Sequence, residues 1–281
     1  MGIRDFLVHL GTDKASSVRL DFAADLAERL SAHLVGLHVI DVPLPILAGA
    51  EFGGGAAVAE MIERMHRDAI DAAAPVEARF RERLRLDTLS GAWRQVEGSL
   101  AGQMALHGRY SDLIVMGQTD PDDAETIGDS AIYAALFESG RPVLLLPRVG
   151  APTRLGRHAL IAWNARREAA RAVHDALPLL ALMEEVTVLT VMPRKDEDGH
   201  GEQPGADIAA HLARHGLRVT VRSVAGADVT VGDLLLNEAA DLGANLLVMG
   251  GYGHSRLREF MLGGATRTIL AQMTVPVLIS H

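Results

Sequence analysis

Gly250, Gly253, Gly263 and Gly264 have the spacing in this 281-residue chain that most plainly points to chemistry. They follow the strand-like run Asn245-Leu246-Leu247-Val248-Met249, and the segment from Arg256 to Leu262 between them reads as the start of a helix. Strand, glycine turn and helix in that order can place several backbone N–H groups around one phosphate. In this reading Gly250 takes up positive φ, and Gly253 removes a side chain that would stand between the donors and the anion. Gly263 and Gly264 bring a second set of N–H groups to the same anion if the chain folds back. His254 follows Gly253 directly and is a candidate phosphate contact, set against plain loop exposure. Arg256, Arg258 and Arg267 are candidate counter-charges, although arginine is also common on helix surfaces. A lone glycine pair is most often a tight turn, so the elements around the run decide its meaning.

Those elements come in two sets. Ser111-Asp112-Leu113-Ile114-Val115-Met116-Gly117 matches Ala244-Asn245-Leu246-Leu247-Val248-Met249-Gly250 almost residue for residue, and Arg141 to Leu146 matches Val275 to Ser280. Each half opens with a strand candidate, Phe6 to Leu10 and His158 to Trp163, followed by a helix. In the first such helix Leu20, Ala23, Ala24, Ala27 and Leu30 form one apolar face, so it should lie on a sheet. Second strands follow at His33 to Ile40 and Val186 to Met192, third strands at Leu84 to Leu89 and Leu217 to Val224, then helices at Val96 to His107 and Val231 to Leu242. Near-continuous Val/Ile/Leu strands alternating with helices predict parallel sheets covered on both faces. The fold class is therefore α/β, with two doubly wound parallel-sheet domains in tandem, residues 1–149 and 150–281, joined at a Pro/Gly-containing stretch from Arg148 to Gly156. Pro43, Pro45 and Gly53 to Gly55 precede a helix from about Ala57 towards Phe80, which Pro75 is expected to kink, while Pro178 should end or kink the first helix of the second half.

Composition sets the bounds. The net charge of -9 opposes generic binding to nucleic acid, whose affinity rests on Lys and Arg neutralising phosphates. With no cysteine, disulfides, thiolate metal ligands and a cysteine nucleophile are excluded, and a cytoplasmic setting is expected. The N-terminus has a charge pair where a secretory signal needs an apolar core, and no apolar run reaches the roughly 18 to 20 residues of a membrane span. A membrane partner is therefore not expected.

On these residues the chain resembles the universal stress proteins in their tandem form. The run Val248 to Gly253, then His254 to Leu262, then Gly263-Gly264-Ala265-Thr266 is similar to that family's nucleotide pattern G-x2-G-x9-G followed by Ser or Thr, and Ala162 to Ala172 is similar to its first strand-to-helix junction. The resemblance implies a Rossmann-like, adenine nucleotide α-hydrolase-like fold. It also implies a stress-response role, in which an adenine nucleotide, ATP or ADP, with Mg2+ held through the phosphates, governs an interaction surface for protein partners. Carried over by motif, Ala162 and Asn164 stand at the junction, Val191 and Met192 at the second-strand end beside the base, and Gly250, Gly253, Gly263 and Gly264 around the phosphates. Asn164 replaces an Asp, and Gly264 replaces the usual hydroxyl, which Thr266 can supply if the turn directs it inward. The resemblance further implies that Val143 to Leu146 pairs with Val277 to Ile279 inside one chain, imitating a dimer, with a homodimer of tandem chains left open. A nucleotide-free scaffold of the same fold is the alternative.

The first half departs from the pattern. Asp120 stands where the second glycine would be and repels phosphate, Asp129-Ser130 replaces Gly263-Gly264, and Asp13 is read as the family's junction acid. Among the twelve histidines, His211 and His215 lie four apart on a probable helix with Asp207 one turn earlier; solvated or capping histidines explain that spacing without a metal. Tyr252 and Trp163 can flank a base or pack in the core. No nucleophile and base pair can be assigned; the resemblance implies at most slow hydrolysis of bound ATP, and the sequence names no residue for it.

Overall fold

The computed structural model describes residues 2–41, 55–120, 122, 128–192, 205–226, 229–251 and 264–281. The first half runs β1 (Asp5–His9), α1 (Ser16–Leu30), β2 (His33–Ile40), α2 (Gly55–Asp87), β3 (Gly91–Glu97), α3 (Leu100–Gly108), β4 (Leu113–Gly117), α4 (Asp129–Glu138) and β5 (Val143–Leu146). The second runs β6 (His158–Ala162), α5 (Arg167–Leu180), β7 (Glu185–Met192), α6 (Ala206–Arg214), β8 (Val219–Ala225), α7 (Val231–Asp241), β9 (Leu246–Gly250), α8 (Gly264–Gln272) and β10 (Val277–Ser280).

The ten strands among the described residues join one sheet in the order β3-β2-β1-β4-β5-β10-β9-β6-β7-β8. Every pairing is parallel except the central one, where β5 and β10 run antiparallel with Leu144 opposite Leu278. That pairing is the one expected between Val143–Leu146 and Val277–Ile279. Both central strands are buried throughout, because helices from both halves cover both faces. Gln118 adds a polar tie across the join: buried after β4, it donates from Nε2 to the carbonyls of Leu270 at 2.9 Å and Ala271 at 3.1 Å, and its Oε1 accepts from Arg148 N at 3.0 Å. It thereby satisfies carbonyls in the last turn of α8, which a helix leaves open.

The predicted apolar face of α1 is inside, with Leu20, Ala23, Ala24 and Ala27 buried and Leu30 packed on the same cluster. Two expectations fail. The third strand of the first half is not Leu84–Leu89, because α2 runs on to Asp87 and β3 begins at Gly91; accordingly α3 starts at Leu100 rather than Val96. The last turns of α2 are laced by Arg81–Glu77, Arg85–Glu82 and Arg83–Asp87 ion pairs at helical spacing, which outweigh the apparent alternation of the leucines. Pro75 lies inside α2, and Pro178 lies inside α5, which runs two residues further to Leu180. Pro43, Pro45, Gly53 and Gly54 lie outside the described residues.

Candidate functional site

β6 is the switch point of the second half: the chain leaves it towards β7 on one side and later returns through β9 on the other. In such sheets the crevice beyond the strands' C-terminal ends at that point is where ligands bind. Here β6 ends at Ala162, opposite Leu189 of β7 and Met249 of β9. β7 continues past it, and Val191 and Met192 pair with Val224 and Ala225 of β8 on the far side only. The connection from Gly250 to Gly264 leaves the same edge of the sheet and re-enters as α8.

Several predicted residues thus meet at one edge. Ala162 is half-buried at the end of β6, and Asn164 is exposed two residues later. Asn164 Oδ1 accepts from Arg166 N at 3.1 Å, a local turn that carries Ala165 at φ 55° into α5. Its acceptor is thus already committed in part. Gly264 opens α8 with no atom of the described residues within 4 Å of where a Cβ would stand, so those residues leave room for a side chain there. Thr266 is buried on the inner side of α8. Gly253, His254 and Gly263 lie outside the described residues, as do Tyr252, Arg256 and Arg258.

Gly250 corrects the sequence reading. It is the last residue of β9 and does not have positive φ. It is glycine because α5 crosses it: a Cβ would lie 2.5 Å from Glu168 C and 2.6 Å from Ala169 N. That contact brings the N-terminus of α5 down onto the sheet edge. Glu168, buried at the contact, has its ionisation opposed by burial, yet the Arg167 Nε hydrogen bond at 2.6 Å and the charges of Arg167 and His281 hold its carboxyl below the usual range. Trp163 packs on the apolar core, the second of the two readings its type allowed.

The first-half counterpart is built differently. Phe6 pairs with Leu113 and Leu34, as Ala159 does with Leu246 and Val186. Counting on from that register, His9 stands at the place of Ala162, His38 at Thr190 and Gly117 at Gly250. Asp13 stands three residues before α1, as Asn164 stands three before α5, the connection after β1 being two residues longer than that after β6. It is 6% exposed and paired with Arg19 at 2.7 Å, while Arg19 Nε donates to His9 O at 2.6 Å. The Arg19 guanidinium fills the space beside Gly117 that the α5 backbone fills beside Gly250. Asp120, which occupies the place of the second glycine, is paired with Arg148 at 2.9 Å.

With this geometry in view, the model of the universal stress protein family matches residues 156–281. The C-terminal half belongs to that family. A universal stress protein from Archaeoglobus fulgidus aligns over 98% of this chain and 97% of its own at a TM-score of 0.72 and 16% identity. A putative universal stress protein from Pseudomonas aeruginosa aligns over 99% and 93% at a TM-score of 0.61 and 18% identity. The fold of the universal stress proteins therefore extends over the first half as well. A universal stress protein solved in complex with cAMP aligns over 44% of this chain and 97% of its own, at a TM-score of 0.35 and 22% identity. Among curated proteins none matches the chain.

Other residues singled out by the sequence find plain structural roles in this universal stress protein fold. His211 and His215 face each other edge-on with ring centroids 4.8 Å apart, and His215 caps α6. Among the described residues no group of three His, Asp or Glu could hold a metal, and no helix is long and apolar enough to cross a membrane. Arg19, Gln118 and the His9–His38 pair were not legible as site or joint residues. Polar residues inside apolar strand ends, as in Leu7-Val8-His9-Leu10, were the available signal.

Proposed function

We propose that this chain is a cytoplasmic stress-response protein whose second half binds an adenine nucleotide, ATP or ADP, and presents a nucleotide-dependent surface to partner proteins. The observation that carries this reading is where the two ends of the glycine run fall: its first glycine, Gly250, closes β9 at the edge of the switch-point crevice, and Gly264, next in sequence after its last, opens α8. Ala162 and Asn164 would lie beside the ribose or base, Val191 and Met192 would offer backbone groups to the base, and Gly253, Gly263 and Gly264 would hold the phosphates through backbone N–H groups. A bound nucleotide would bring negative charge that Mg2+ can share through the phosphate oxygens. Equilibrium titration of the purified chain with ATP tests this: saturable binding is expected, abolished by Gly253→Asp, which imitates Asp120. No binding at saturating nucleotide refutes it. The alternative, a nucleotide-free interaction protein of the same fold, is favoured by the commitment of Asn164 Oδ1 to its own turn and by the missing hydroxyl at Gly264.

A further inference from the structure

The last helix of each half meets the other half across the central strands, and the two crossings are made of different chemistry. The pairing of Leu144 with Leu278 sets Leu136 of α4 at the place of Leu270 of α8, and Ser139 at that of Met273. Gln118 and Gly251 are equivalent in following β4 and β9: Gln118 N donates to Leu146 O and Gly251 N to Ser280 O, both at 2.8 Å. α4 ends on groups of its own half. Ser139 Oγ donates to Ala135 O and accepts from Arg141 N at 3.1 Å, and Arg109 Nε donates to Glu138 O at 3.4 Å. Met273 has no hydroxyl to play that part, and the carbonyls of Leu270 and Ala271 are met by Gln118 Nε2, from the first half. Arg148 N holds Oε1 of the same buried amide. At the equivalent place Gly251 has no side chain, and a Cβ there would stand 3.2 Å from Leu136 Cδ2.

The helix tied in this way is the one that opens at Gly264, beside the glycine run. It is gripped at two places. Its own half holds it near the start, where Gly232 of α7 lies so close that a Cβ would meet Thr268 Cβ at 2.6 Å and Ala265 O at 3.0 Å. The first half holds its last turn through Gln118. Gly264 and Ala271 are about 10 Å apart along the axis, and a helix this short moves as a rod. Freed at its last turn, α8 can pivot about Gly232 and carry Gly264 with it. Gly251, at the other end of the connection, rests on Leu136, so both ends bear on first-half residues.

We propose that the first half, which has lost the glycine pattern, positions the second-half site, with Gln118 as the positioning residue that sets the first turn of α8. The identity of the ligand rests on the nucleotide reading above; the link from Gln118 to Gly264 does not. Because coupling between two places is reciprocal, a nucleotide that draws on Gly264 is also felt at Gln118.

Nuclear magnetic resonance and ATP titration of the full chain test this. In the unsubstituted protein, saturating ATP is expected to move the side-chain amide resonances of Gln118. Gln118→Met fills the same space without a donor. It is expected to move the backbone amide resonances of Ala265 and Thr266 in the nucleotide-free chain, and to weaken ATP by about two- to thirtyfold at a temperature where both proteins are folded. A cap that only stabilises would lower Tm and leave both the affinity of the folded chain and those resonances unchanged. Unmoved Ala265 and Thr266 resonances overturn the proposal whatever ATP does. ATP binding that leaves the Gln118 amide unmoved, or that is equally tight in the two proteins, overturns it too and leaves the nucleotide reading standing. An unsubstituted chain that binds no ATP refutes the nucleotide reading instead, and the Ala265 and Thr266 resonances then decide the link by themselves.

Discussion

Replacing Gly250 by alanine separates a packing role for this residue from a ligand role. The new Cβ would stand 2.5 Å from Glu168 C and 2.6 Å from Ala169 N, against an ordinary contact of at least 3.4 Å, so strand and helix must part by about 0.9 Å. Both obstacles are backbone, and no rotamer relieves them. Parting them lifts the start of α5, whose Ala169, Ala172, Val173 and Ala176 are buried against the sheet. Overpacking of this kind costs about 3 kcal/mol, at the upper end of its usual range. For a chain of this size that is a fall in Tm of about 6 to 12 °C. Gly117→Ala is the internal control: its Cβ meets the Arg19 guanidinium, the far end of a long side chain, and should cost about 1 kcal/mol. Thermal melts of the two variants beside the parent, without nucleotide, give the comparison. A Gly250→Ala protein that melts within about 1 °C of the parent would refute the packing argument and return Gly250 to a ligand role alone.

Gly264→Ser restores a hydroxyl at a position with no atom of the described residues within 4 Å of a Cβ, so ATP affinity should rise by about ten- to a hundredfold, the worth of one hydrogen bond to a charged group, with Tm unchanged; titration of both proteins decides it. Gln118→Ala strips the caps from Leu270 and Ala271 and should cost about 1 to 3 kcal/mol in denaturant unfolding, since two buried carbonyls lose their donor. His9 is held neutral in the native chain but protonates once unfolded near its ordinary value of 6.5, so the unfolded state takes up more protons below that pH. Stability is therefore lost as pH falls through about 6.5, by at most about 1.4 kcal/mol per pH unit from this residue. His107, lowered by burial and by Arg94, acts in the same sense. Unfolding curves from pH 8 to 5 should be steeper in the parent than in His9→Gln, and equal slopes would remove His9 from the argument.

The interior of the sheet was legible because its strands are buried on both faces and read as unbroken Val/Ile/Leu runs. β4 and β9, and likewise β5 and β10, could be aligned from sequence for that reason. The edge strand β3 was missed because it is half exposed: Gly91-Ala92-Trp93-Arg94-Gln95 carries neither a continuous apolar run nor a clean alternation. Leu84, which drew the strand assignment, instead packs from α2 onto Gly91. At the candidate site, glycine spacing located the edge of the crevice but could not say why Gly250 is glycine, since the need arises from α5, far away in sequence. Asp13 could be set against Asn164 from sequence because each stands three residues before its helix. No local pattern could announce its burial with Arg19.

That buried pair explains how the halves diverged while the topology held. In the second half the α5 backbone rests directly on Gly250, and small residues close the gap. In the first, α1 stands away from Gly117 by the thickness of a guanidinium, which needs Asp13 for its charge and the His9 carbonyl for its Nε. A buried pair of this kind contributes little net stability compared with apolar packing, but removing one partner costs about 3 to 5 kcal/mol. Once Arg19 is in place, Asp13 cannot drift, and burial, reinforced by the Arg19 charge, holds the His9 imidazole well below its ordinary range. The Asp120–Arg148 pair then closes the place a second phosphate glycine would need. Restoring an anion site in the first half therefore takes more than glycines at Asp120 and Asp129: Arg148 would lose its partner, and the His9 and His38 rings would still face the ligand. The double variant Asp120→Gly/Asp129→Gly is expected to bind no ATP in its first half, and a second equivalent of ATP in titration would show the charge of Asp120 to be the sole barrier.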